Sequence, residues 1–333
     1  MHNHGDDWQV AKPIGLQLMD GTSDTVIPAQ KFAHPDLTAG GEPRAHVSLK
    51  KLETLWFNTG TLCNIACVNC YIESSPKNDR LSYLSCADVR RYLDEIADHE
   101  LGTTTIGLTG GEPFMNPQII EILDLILSRD FDLLVLSNAM KPMWHKRRQL
   151  TDLAARHPGR LAIRVSIDHY TRAGHEAIRG PDTWQPMQDG LSWLQQQAVT
   201  LTVAARQPAD ENEAVLRQGF QTWFDQQDLR LDASDPAQLV VFPEMDSNPD
   251  VPEITTACWD ILDVSPIDQM CASSRMVIKR KGAASPTVAA CTLLPYDSRF
   301  DLGETLVDGS KTVSLNHPHC ATFCVLGGAS CSG

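Results

Sequence analysis

The chain has little positive charge and no long apolar run, and each absence excludes a class of function. Its 333 residues carry 28 lysines and arginines against 42 aspartates and glutamates, a formal net charge of −14. This balance repels phosphate groups, so neither a nucleic acid nor an anionic membrane surface is an expected partner. The apolar stretch 119–127 is interrupted by Glu121 and Asp124, and no run approaches a membrane span.

The N-terminus gives an expectation about the compartment. Residues 1–7 contain no basic segment followed by an apolar one, so we expect no secretory signal and a cytoplasmic protein. The ten cysteines should then be metal ligands or free thiols rather than disulfides. A local basic run, Lys279-Arg280-Lys281, is expected to be a solvated hairpin.

The order of apolar segments predicts the fold class. Hydrophobic content of 42% and charged content of 21% are ordinary for a globular protein. Between residues 51 and 245, strand-like and helix-like patterns alternate, which implies right-handed crossovers and a parallel sheet. The expected strands are 52–57, 103–108, 133–136, 161–167, 199–204 and 239–242. The expected helices are 85–99, 118–128, 143–156, 184–197 and 211–224.

Six such units fall short of the eight that close a full barrel, so we expect an α/β fold with an open, partial (β/α)6 barrel. Catalytic groups of such sheets lie at the carboxyl ends of the strands. Residues 1–50 read as an irregular N-terminal arm. Residues 246–333 lose the alternation and hold six of the ten cysteines, which favours a loop-rich segment held together by metal.

Three cysteines lie within eight residues, at Cys63, Cys67 and Cys70. Three thiolates this close can bind three irons of one [4Fe–4S] cube, and the fourth iron is then open to a ligand. A disulfide pair, a zinc site or chance are the other readings. Zinc loops, however, usually come in two-plus-two sets of ligands.

A second motif, Gly110-Gly111-Glu112-Pro113, follows the second expected strand. Paired glycines let the backbone approach a ligand closely, because no Cβ atom is in the way. Carbonyl groups there can accept hydrogen bonds from an ammonium group, and Glu112 can add a negative charge. A structural turn is the alternative for a Gly-Gly pair alone.

Together, the cysteine spacing and the Gly-Gly-Glu-Pro stretch resemble the radical S-adenosylmethionine (SAM) superfamily. The expected partial barrel also matches the core fold of that superfamily. The resemblance implies that Cys63, Cys67 and Cys70 hold a [4Fe–4S] cluster and that SAM binds the open iron through its amino and carboxylate groups. It also implies that Gly110, Gly111 and Glu112 hold the amino group of SAM.

Polar side chains at other expected strand ends complete the implied SAM site. The resemblance gives Asn138 a place after the third strand, and it gives Ser166 and Asp168 places after the fourth, near the ribose and the methionyl carboxylate of SAM. For each of these alone, a helix cap is the alternative. Arg206, after the fifth strand, could reach the SAM carboxylate or could be a surface arginine. Tyr71 is expected to pack near the adenine.

The C-terminal cysteines resemble the auxiliary-cluster segment, of SPASM or twitch type, that some members of this superfamily carry. Cys271 and Cys291 flank a hairpin-like stretch, 276–288, and Cys320 and Cys324 form a close pair. The resemblance implies that these four hold one auxiliary [4Fe–4S] cluster. Cys331 is either a replacement ligand or a free thiol near the site. We expect Cys258 to be free and Cys86 to be structural.

The implied reaction begins with one-electron cleavage of SAM to methionine and a 5′-deoxyadenosyl radical, which abstracts a hydrogen atom from the substrate. Our first expectation is that the auxiliary cluster then oxidises the substrate radical. Glu244, Asp246 and Cys331 are candidates for a base, a substrate anchor or a thiol near the substrate. The expected substrate is a small metabolite or a short peptide, and the expected reductant is a flavodoxin or a ferredoxin.

Two other functions remain open at this point. In the first, the enzyme inserts sulfur or forms a thioether in a peptide. The second is a non-catalytic iron–sulfur electron carrier. The Gly-Gly-Glu-Pro motif argues against a carrier, because a carrier has no use for a site that binds the SAM amino group.

Overall fold

The computed structural model describes residues 30–208, 210–244 and 250–328. Its secondary structure is mixed, with most helices between residues 86 and 226. The strands are β1 His46–Val47, β2 Thr54–Asn58, β3 Thr105–Thr109, β4 Asp132–Ser137, β5 Leu161–Asp168, β6 Thr200–Gln207, β7 Leu239–Pro243, β8 Ser274–Ile278, β9 Thr287–Ala289, β10 Asp301–Gly303 and β11 Val313–Ser314. The α-helices are α1 Cys86–Asp98, α2 Ile119–Leu127, α3 Lys141–His145, α4 Arg147–Arg156, α5 Arg172–Arg179, α6 Trp184–Leu194, α7 Glu213–Gln226 and α8 Cys258–Leu262.

The central sheet is an open partial barrel. Its strand order is β10-β9-β8-β2-β3-β4-β5-β6-β7, and β7 and β10 are its two edges. The seven strands from β8 to β7 pair in parallel, whereas β9 and β10 add in antiparallel fashion. The expected partial barrel is therefore confirmed, and its six expected strands are β2 to β7. The sheet also takes in β8, β9 and β10 from the C-terminal segment.

One expected helix is divided in the structure, and one further helix was not expected. The helix expected over 143–156 is divided at Lys146, whose backbone ends α3 and begins α4. The short helix α5 was not expected, because only two of its eight residues are buried and it gives little apolar periodicity. Its start is nevertheless encoded locally, since the Thr171 side chain accepts a hydrogen bond from the Gly174 N–H.

The helix start expected at Ser85 is confirmed by its capping box. The Ser85 hydroxyl accepts a hydrogen bond from the Asp88 N–H at 3.1 Å, and the Asp88 carboxylate accepts one from the Ser85 N–H at 2.9 Å. Two otherwise unpaired N–H groups at the start of α1 are thereby satisfied. The capping box therefore fixes the start of the first helix after the segment that contains the three closely spaced cysteines.

The sheet has a core on each face. Along β2, Leu55 and Phe57 pack in the core beneath the helices, whereas Trp56 packs in a second core with Met276 and Ile278 of β8. Side chains on successive strand residues point to opposite faces, so one strand can serve both cores. The second core is built mainly from residues after 250, and the C-terminal segment therefore packs on the inner face of the barrel.

The length and the apolar character of the helices bear on whether any of them could cross a membrane. Within the described residues, no helix is both long and apolar enough to cross a bilayer.

A buried ion pair ties the N-terminal arm to the C-terminal segment. The guanidinium of Arg44 is fully buried and pairs with Glu253, whose carboxylate also accepts hydrogen bonds from the N–H groups of Phe32 and Ala39. Burial raises the pKa of Glu253, but the hydrogen bonds from Ala39, Arg44 and Phe32 outweigh it and lower the pKa overall. The ionised form is therefore the one that stabilises the fold.

We predict that Glu253→Gln lowers the free energy of unfolding by about 3 kcal/mol, because it leaves the Arg44 charge buried without a partner. Thermal unfolding followed by circular dichroism measures the loss. Asp94→Asn, which breaks the exposed pair with Arg129, should cost less than ~1 kcal/mol.

The difference between wild type and Glu253→Gln should shrink as the pH falls below the ordinary glutamate pKa. A lowered folded-state pKa contributes stability that is present above that range and lost on acidification. A difference that stays constant or grows towards low pH would contradict this role for the Glu253 carboxylate.

Candidate functional site

The three closely spaced cysteines lie in a loop, residues 59–75, that we call the cysteine loop. It follows β2 and is tied down at several points: the Cys63 N–H donates to Ser75 O at 3.1 Å, and the Val68 N–H donates to Ile178 O at 2.8 Å. Cys63, Cys67 and Cys70 all line one cleft at the carboxyl ends of the parallel strands. The structure therefore brings the three cysteines together where such sheets carry their chemistry.

The glycine pair lets β3 lie directly against the cysteine loop. A Cβ atom on Gly110 would come within 2.5 Å of Gly60 O, and one on Gly111 within 2.2 Å of Leu62 O. Gly110 also has a φ of +139°, a backbone conformation that residues other than glycine rarely adopt. Both glycines line the cleft. The two glycines are thus required because the backbone here lies directly against the cysteine loop.

Glu112 lies beneath the cleft rather than in its lining. Its side chain is buried, and its carboxylate accepts hydrogen bonds from Ser137 Oγ at 3.0 Å, from the Asn138 N–H at 2.8 Å and from the Phe114 N–H at 3.2 Å. Burial raises the pKa of Glu112 to about 7, against the lowering effect of these hydrogen bonds. In the ligand-free protein its oxygens hold the end of β4, and the expected contact of this carboxylate with the amino group of SAM stays a prediction.

Asn138 faces the first cysteine. Its Nδ2 lies 3.9 Å from Cys63 Sγ and donates to Asn64 Oδ1 at 2.9 Å, while its Oδ1 accepts from the Met140 N–H. Its contacts are thus to the cysteine loop and to its own turn. Two other expected residues, Tyr71 and Ser166, also line the cleft.

Tyr71 is held at the edge of the cleft. Its hydroxyl is 3.1 Å from Thr109 Oγ1, at the end of β3. This contact fixes the ring next to the Gly110–Gly111 turn, where a flat face is available to a bound group.

Asp168 holds two arginines at the cleft. One carboxylate oxygen lies 2.8 Å from Arg179 Nε, although the angle is not that of a hydrogen bond, and the other lies 3.5 Å from Arg206 Nε. Arg206 also donates to Val68 O of the cysteine loop at 2.8 Å. In the ligand-free protein both of its oxygens face guanidinium groups, and the expected contact of Asp168 with a ribose stays a prediction. All three residues line the cleft.

Burial disfavours the thiolate forms of Cys63 and Cys67 in the ligand-free protein, because it raises the pKa of both thiols. Burial raises the pKa of Cys63 to about 12. Burial also raises the pKa of Cys67, which Asp168 raises further and which Arg179 and Arg206 lower. These arginines supply positive charge where thiolates, or an anionic ligand, would need it.

The geometry is not that of a closed zinc site. Within residues 30–208, 210–244 and 250–328, no three His, Cys, Asp or Glu side chains converge on a single ion. Zinc with bonds of about 2.3 Å would need its sulfur ligands ~3.8 Å apart. An iron–sulfur cube places each cysteine on a different iron, so its ligands stand further apart. Three thiols around one cleft fit the cube.

The second group of cysteines gathers in the second core. Cys271 is buried, and Cys291, Cys320 and Cys324 are half-buried against the same core. Burial raises the pKa of Cys320 well above its ordinary value, and its neighbours Cys291 and Cys271 raise it further. Cys324 lies in the same π-helical turn, Cys320–Val325. The hairpin expected between Cys271 and Cys291 is confirmed as the antiparallel pair β8 and β9.

The environment of Arg275 indicates that an anionic group fits among these cysteines. Its side chain is fully buried, and it donates only to carbonyl oxygens, those of Gly309, Cys271, Ser274 and Lys311. Within the described part of the chain, no carboxylate pairs with it. A buried guanidinium without an anion is costly. Thiolates on Cys271 and Cys291, whose charges act on Arg275, would supply the missing charge when they hold a cluster.

Two further cysteines of the described residues have other contacts, and Cys258 also packs against the second core. Cys258 Sγ lies 3.4 Å from both the backbone N and the Oγ1 of Thr255, at the start of α8. Cys86 is the first residue of α1, and its N–H donates to Gln118 Oε1.

One aromatic contact joins the two cysteine groups. Phe323, between Cys320 and Cys324, lines the same cleft as Cys63 and stacks on Phe242 of β7 with ring centroids 5.5 Å apart. The C-terminal segment therefore forms one wall of the cleft that the cysteine loop opens into.

Of the three residues expected to act as a base, a substrate anchor or a thiol near the substrate, the structure describes only Glu244. Glu244 does not line the cleft, and its carboxylate accepts a hydrogen bond from Asn69 Nδ2 of the cysteine loop at 3.0 Å. Asp246 and Cys331 lie outside the described residues. Their expected roles stay predictions.

Sequence reasoning assigned no role at the site to several residues that line the cleft. Two are buried cations, Arg164 on β5 and Arg179 on α5, and three are apolar: Phe242, Leu293 and Phe323. Arg179 could have been found from the Thr171 cap that begins α5 in the loop after Asp168. The apolar residues carry no local signal, because only the packing of the C-terminal segment brings them to the cleft.

Comparison with known proteins agrees with the motif. The sequence model of the Radical SAM superfamily matches residues 57–204. The chain is 30% identical over 118 residues to "Antilisterial bacteriocin subtilosin biosynthesis protein AlbA" of Bacillus subtilis (strain 168), covering 35% of this chain and 25% of AlbA. It is 29% identical over 147 residues to GTP 3′,8-cyclase of Pectobacterium atrosepticum, covering 43% of this chain and 42% of the cyclase. The matches thus span less than half the length of either relative.

A solved structure shares the fold. That of Streptococcus suis SuiB bound to S-adenosylmethionine superposes with a TM-score of 0.55 at 10% sequence identity, covering 76% of this chain and 63% of SuiB. At this identity the likeness concerns the fold alone. Residues 57–204 thus match the Radical SAM superfamily, whose members bind a [4Fe–4S] cluster and S-adenosylmethionine.

Proposed function

We propose that this protein is a radical SAM oxidoreductase that removes a hydrogen atom from a substrate held in the cleft and oxidises the substrate radical through an auxiliary cluster. The observation that carries the proposal is that Cys63, Cys67 and Cys70 share one cleft with Phe323, which lies between Cys320 and Cys324. A hydrogen-abstracting site and an electron acceptor are useful to each other only when both lie close to the substrate.

The proposed ligand sets follow the two cysteine groups. Cys63, Cys67 and Cys70 would hold the first cluster and leave one iron for SAM, and Cys271, Cys291, Cys320 and Cys324 would hold the second. When bound, SAM and the first cluster would supply a carbon-centred radical that takes a hydrogen atom from the substrate. The second cluster would supply an acceptor for the electron that the substrate radical then releases. We assign residues 51–245 to the core, 246–333 to the auxiliary cluster and 1–50 to an arm.

The chain's own residues would build the SAM site in two parts. The Gly110–Gly111 turn offers carbonyl oxygens to an ammonium group, and Glu112 keeps that turn in place from below. Arg179 and Arg206 offer positive charge to a carboxylate. Asp168 acts as a positioning residue for both arginines rather than as a direct contact. Ser166 and Tyr71 would contact the remaining parts of SAM.

Three groups remain candidates for deprotonating the substrate radical or anchoring the substrate: Glu244, Asp246 and Cys331. The hydrogen bond from Asn69 keeps Glu244 next to the cysteine loop, a position that suits contact with a substrate entering the cleft. Phe242 and Phe323 form an apolar wall that would keep water away from a reactive radical.

For the substrate we propose a short peptide, an assignment that the similarity to a bacteriocin biosynthesis protein supports. The similarity to GTP 3′,8-cyclase supports a small metabolite as the second choice. Sulfur insertion or thioether formation in a peptide is the alternative reaction, also supported by the bacteriocin relative. Mass spectrometry of the product after alkylation of cysteine thiols separates the two reactions. Dehydrogenation removes two hydrogen atoms and leaves the number of alkylated peptide cysteines unchanged, whereas thioether formation lowers that number.

We predict that anaerobic reconstitution gives about eight irons per chain and that the triple variant Cys63→Ala/Cys67→Ala/Cys70→Ala keeps about four. The two cysteine groups lie in different parts of the fold, so one can fill without the other. Iron and sulfide analysis measures this. Cys86→Ala, outside both groups, should keep all of the iron. A triple variant with no iron, or with the full amount, would show that the two-site assignment is wrong.

Glu112→Ala should lower the free energy of unfolding by about 2–3 kcal/mol, because it leaves three buried donors without an acceptor. It should also weaken SAM binding by ~10-fold, through displacement of the Gly110–Gly111 turn. Thermal unfolding and equilibrium dialysis with SAM measure the two effects. Ser137→Ala removes one of the three donors and should cost about 1 kcal/mol. Weaker SAM binding with an unchanged melting temperature would instead place this carboxylate on SAM itself.

The double variant Cys320→Ala/Cys324→Ala should still form 5′-deoxyadenosine from SAM under dithionite but should form no oxidised product, because the barrel core does not depend on these residues. Liquid chromatography and mass spectrometry measure both products. Full product formation by a variant that holds only four irons would remove the oxidative role of the second cluster. Failure of the wild type to form 5′-deoxyadenosine would overturn the radical SAM proposal.

A further inference from the structure

A compact basic surface interrupts this acidic chain. Residues 141–148, at α3 and the start of α4, contain Lys141, Lys146, Arg147 and Arg148, together with His145 and no acidic residue. We call this segment, together with Trp193 of α6, the α3–α4 patch. Lys141 and Arg148 are exposed, and Lys146 and Arg147 are half-exposed. In a chain of net charge −14, such a concentration of positive charge makes a local exception.

The positive charges of the α3–α4 patch are not neutralised within the protein. In the described ranges, none of its four lysines and arginines lies within 4 Å of a carboxylate. The other basic run behaves differently, because Lys279, Arg280 and Lys281 each pair with an aspartate: Asp88, Asp301 and Asp79. The field of the α3–α4 patch is therefore available to a partner.

An aromatic groove lies beside the charges. Trp144 is 38% exposed, and its ring meets that of Trp193 edge to face at 6.3 Å. Arg147 lies over the Trp144 ring and donates to its carbonyl. The acid in the groove is Asp189, which accepts a hydrogen bond from Gln185. The groove is lined by Met140, Lys141, Trp144, Pro186, Asp189, Ser192, Trp193 and Gln196.

The floor of this groove connects directly to the cysteine loop. Met140 lines the groove, and its sulfur lies 3.8 Å from Asn64 Nδ2. Asn64 Oδ1 in turn accepts from Asn138 Nδ2, which is 3.9 Å from Cys63 Sγ. Two side chains, Asn64 and Asn138, thus separate the groove floor from the first cysteine. Cys63 and Asn138 also line the cleft described above.

We propose that the α3–α4 patch is the docking surface for an acidic one-electron carrier protein of the flavodoxin class. The proposal rests on the proposed function, since the first cluster must be reduced from outside. In the transfer the reduced carrier loses one electron and the enzyme gains one. Charge complementarity would bring the carrier in, the two tryptophans would provide the apolar contact, and Met140 marks the short path towards Cys63.

The test compares two charge-reversal variants of the reconstituted enzyme. Lys141→Glu/Arg148→Glu changes the patch, and Arg90→Glu/Arg230→Glu makes the same change in net charge at exposed positions on α1 and after α7. Anaerobic binding of a bacterial flavodoxin at low ionic strength gives the Kd. Stopped-flow absorbance gives the rate at which the flavodoxin hydroquinone is oxidised.

We expect the patch variant to bind flavodoxin at least ~10-fold more weakly and to oxidise it more slowly, with a gap that narrows as salt is added. The control variant should stay within about twofold of the wild type, since its charges lie away from the docking surface. With dithionite, a small reductant that needs no docking, the patch variant should form 5′-deoxyadenosine at the wild-type rate.

Equal affinity of wild type and patch variant for flavodoxin would overturn the proposal, as would an equal loss in the control variant. No flavodoxin binding by the wild type at low salt would also overturn it. A patch variant that loses binding of an acidic peptide but not of flavodoxin would assign the surface to a peptide instead. If dithionite yields no 5′-deoxyadenosine from the wild type, the proposed function fails, and the binding comparison still decides the docking surface.

Discussion

The contact between the Gly110–Gly111 turn and the cysteine loop determines most of the site. The two backbones approach so closely that a single Cβ atom on either glycine would overlap a carbonyl of the loop. Hydrogen bonds from the Gly111 and Glu112 N–H groups to Gly60 O and Leu62 O fix the register. Because that contact holds the loop at the end of β3, the three thiols and the turn share one cleft.

Around that contact, buried charges position backbone and side chains rather than facing solvent. Glu112 ties the end of β4 to the turn, and Asp168 holds Arg179 and Arg206 beside Cys67. Each such group is costly to bury unless its partners are in place. Such networks therefore link the preorganisation of the cleft to correct folding of β4, β5 and α5.

The central sheet joins the C-terminal segment to the barrel. Strands β8, β9 and β10 extend the parallel sheet beyond β2, so the C-terminal segment is joined to the barrel by backbone hydrogen bonds. Its Cys271 and Cys291 lie near the buried Arg275, and its Phe323 reaches the cleft. On the outer side of the cysteine loop, the basic α3–α4 patch lies close behind Cys63.

The sequence by itself determined the parallel strand–helix alternation, the capping box at Ser85, the cysteine spacing and the Gly-Gly-Glu-Pro motif, because each is written in neighbouring residues. It could not give the direction of the Glu112 and Asp168 carboxylates. Nor could it give the places of Arg179 and Phe323 at the cleft. These depend on contacts between segments far apart in the chain, since a carboxylate faces whichever donor or cation the packed strands bring to it. Only the tertiary structure brings Phe323 beside Cys63, more than two hundred residues apart in sequence.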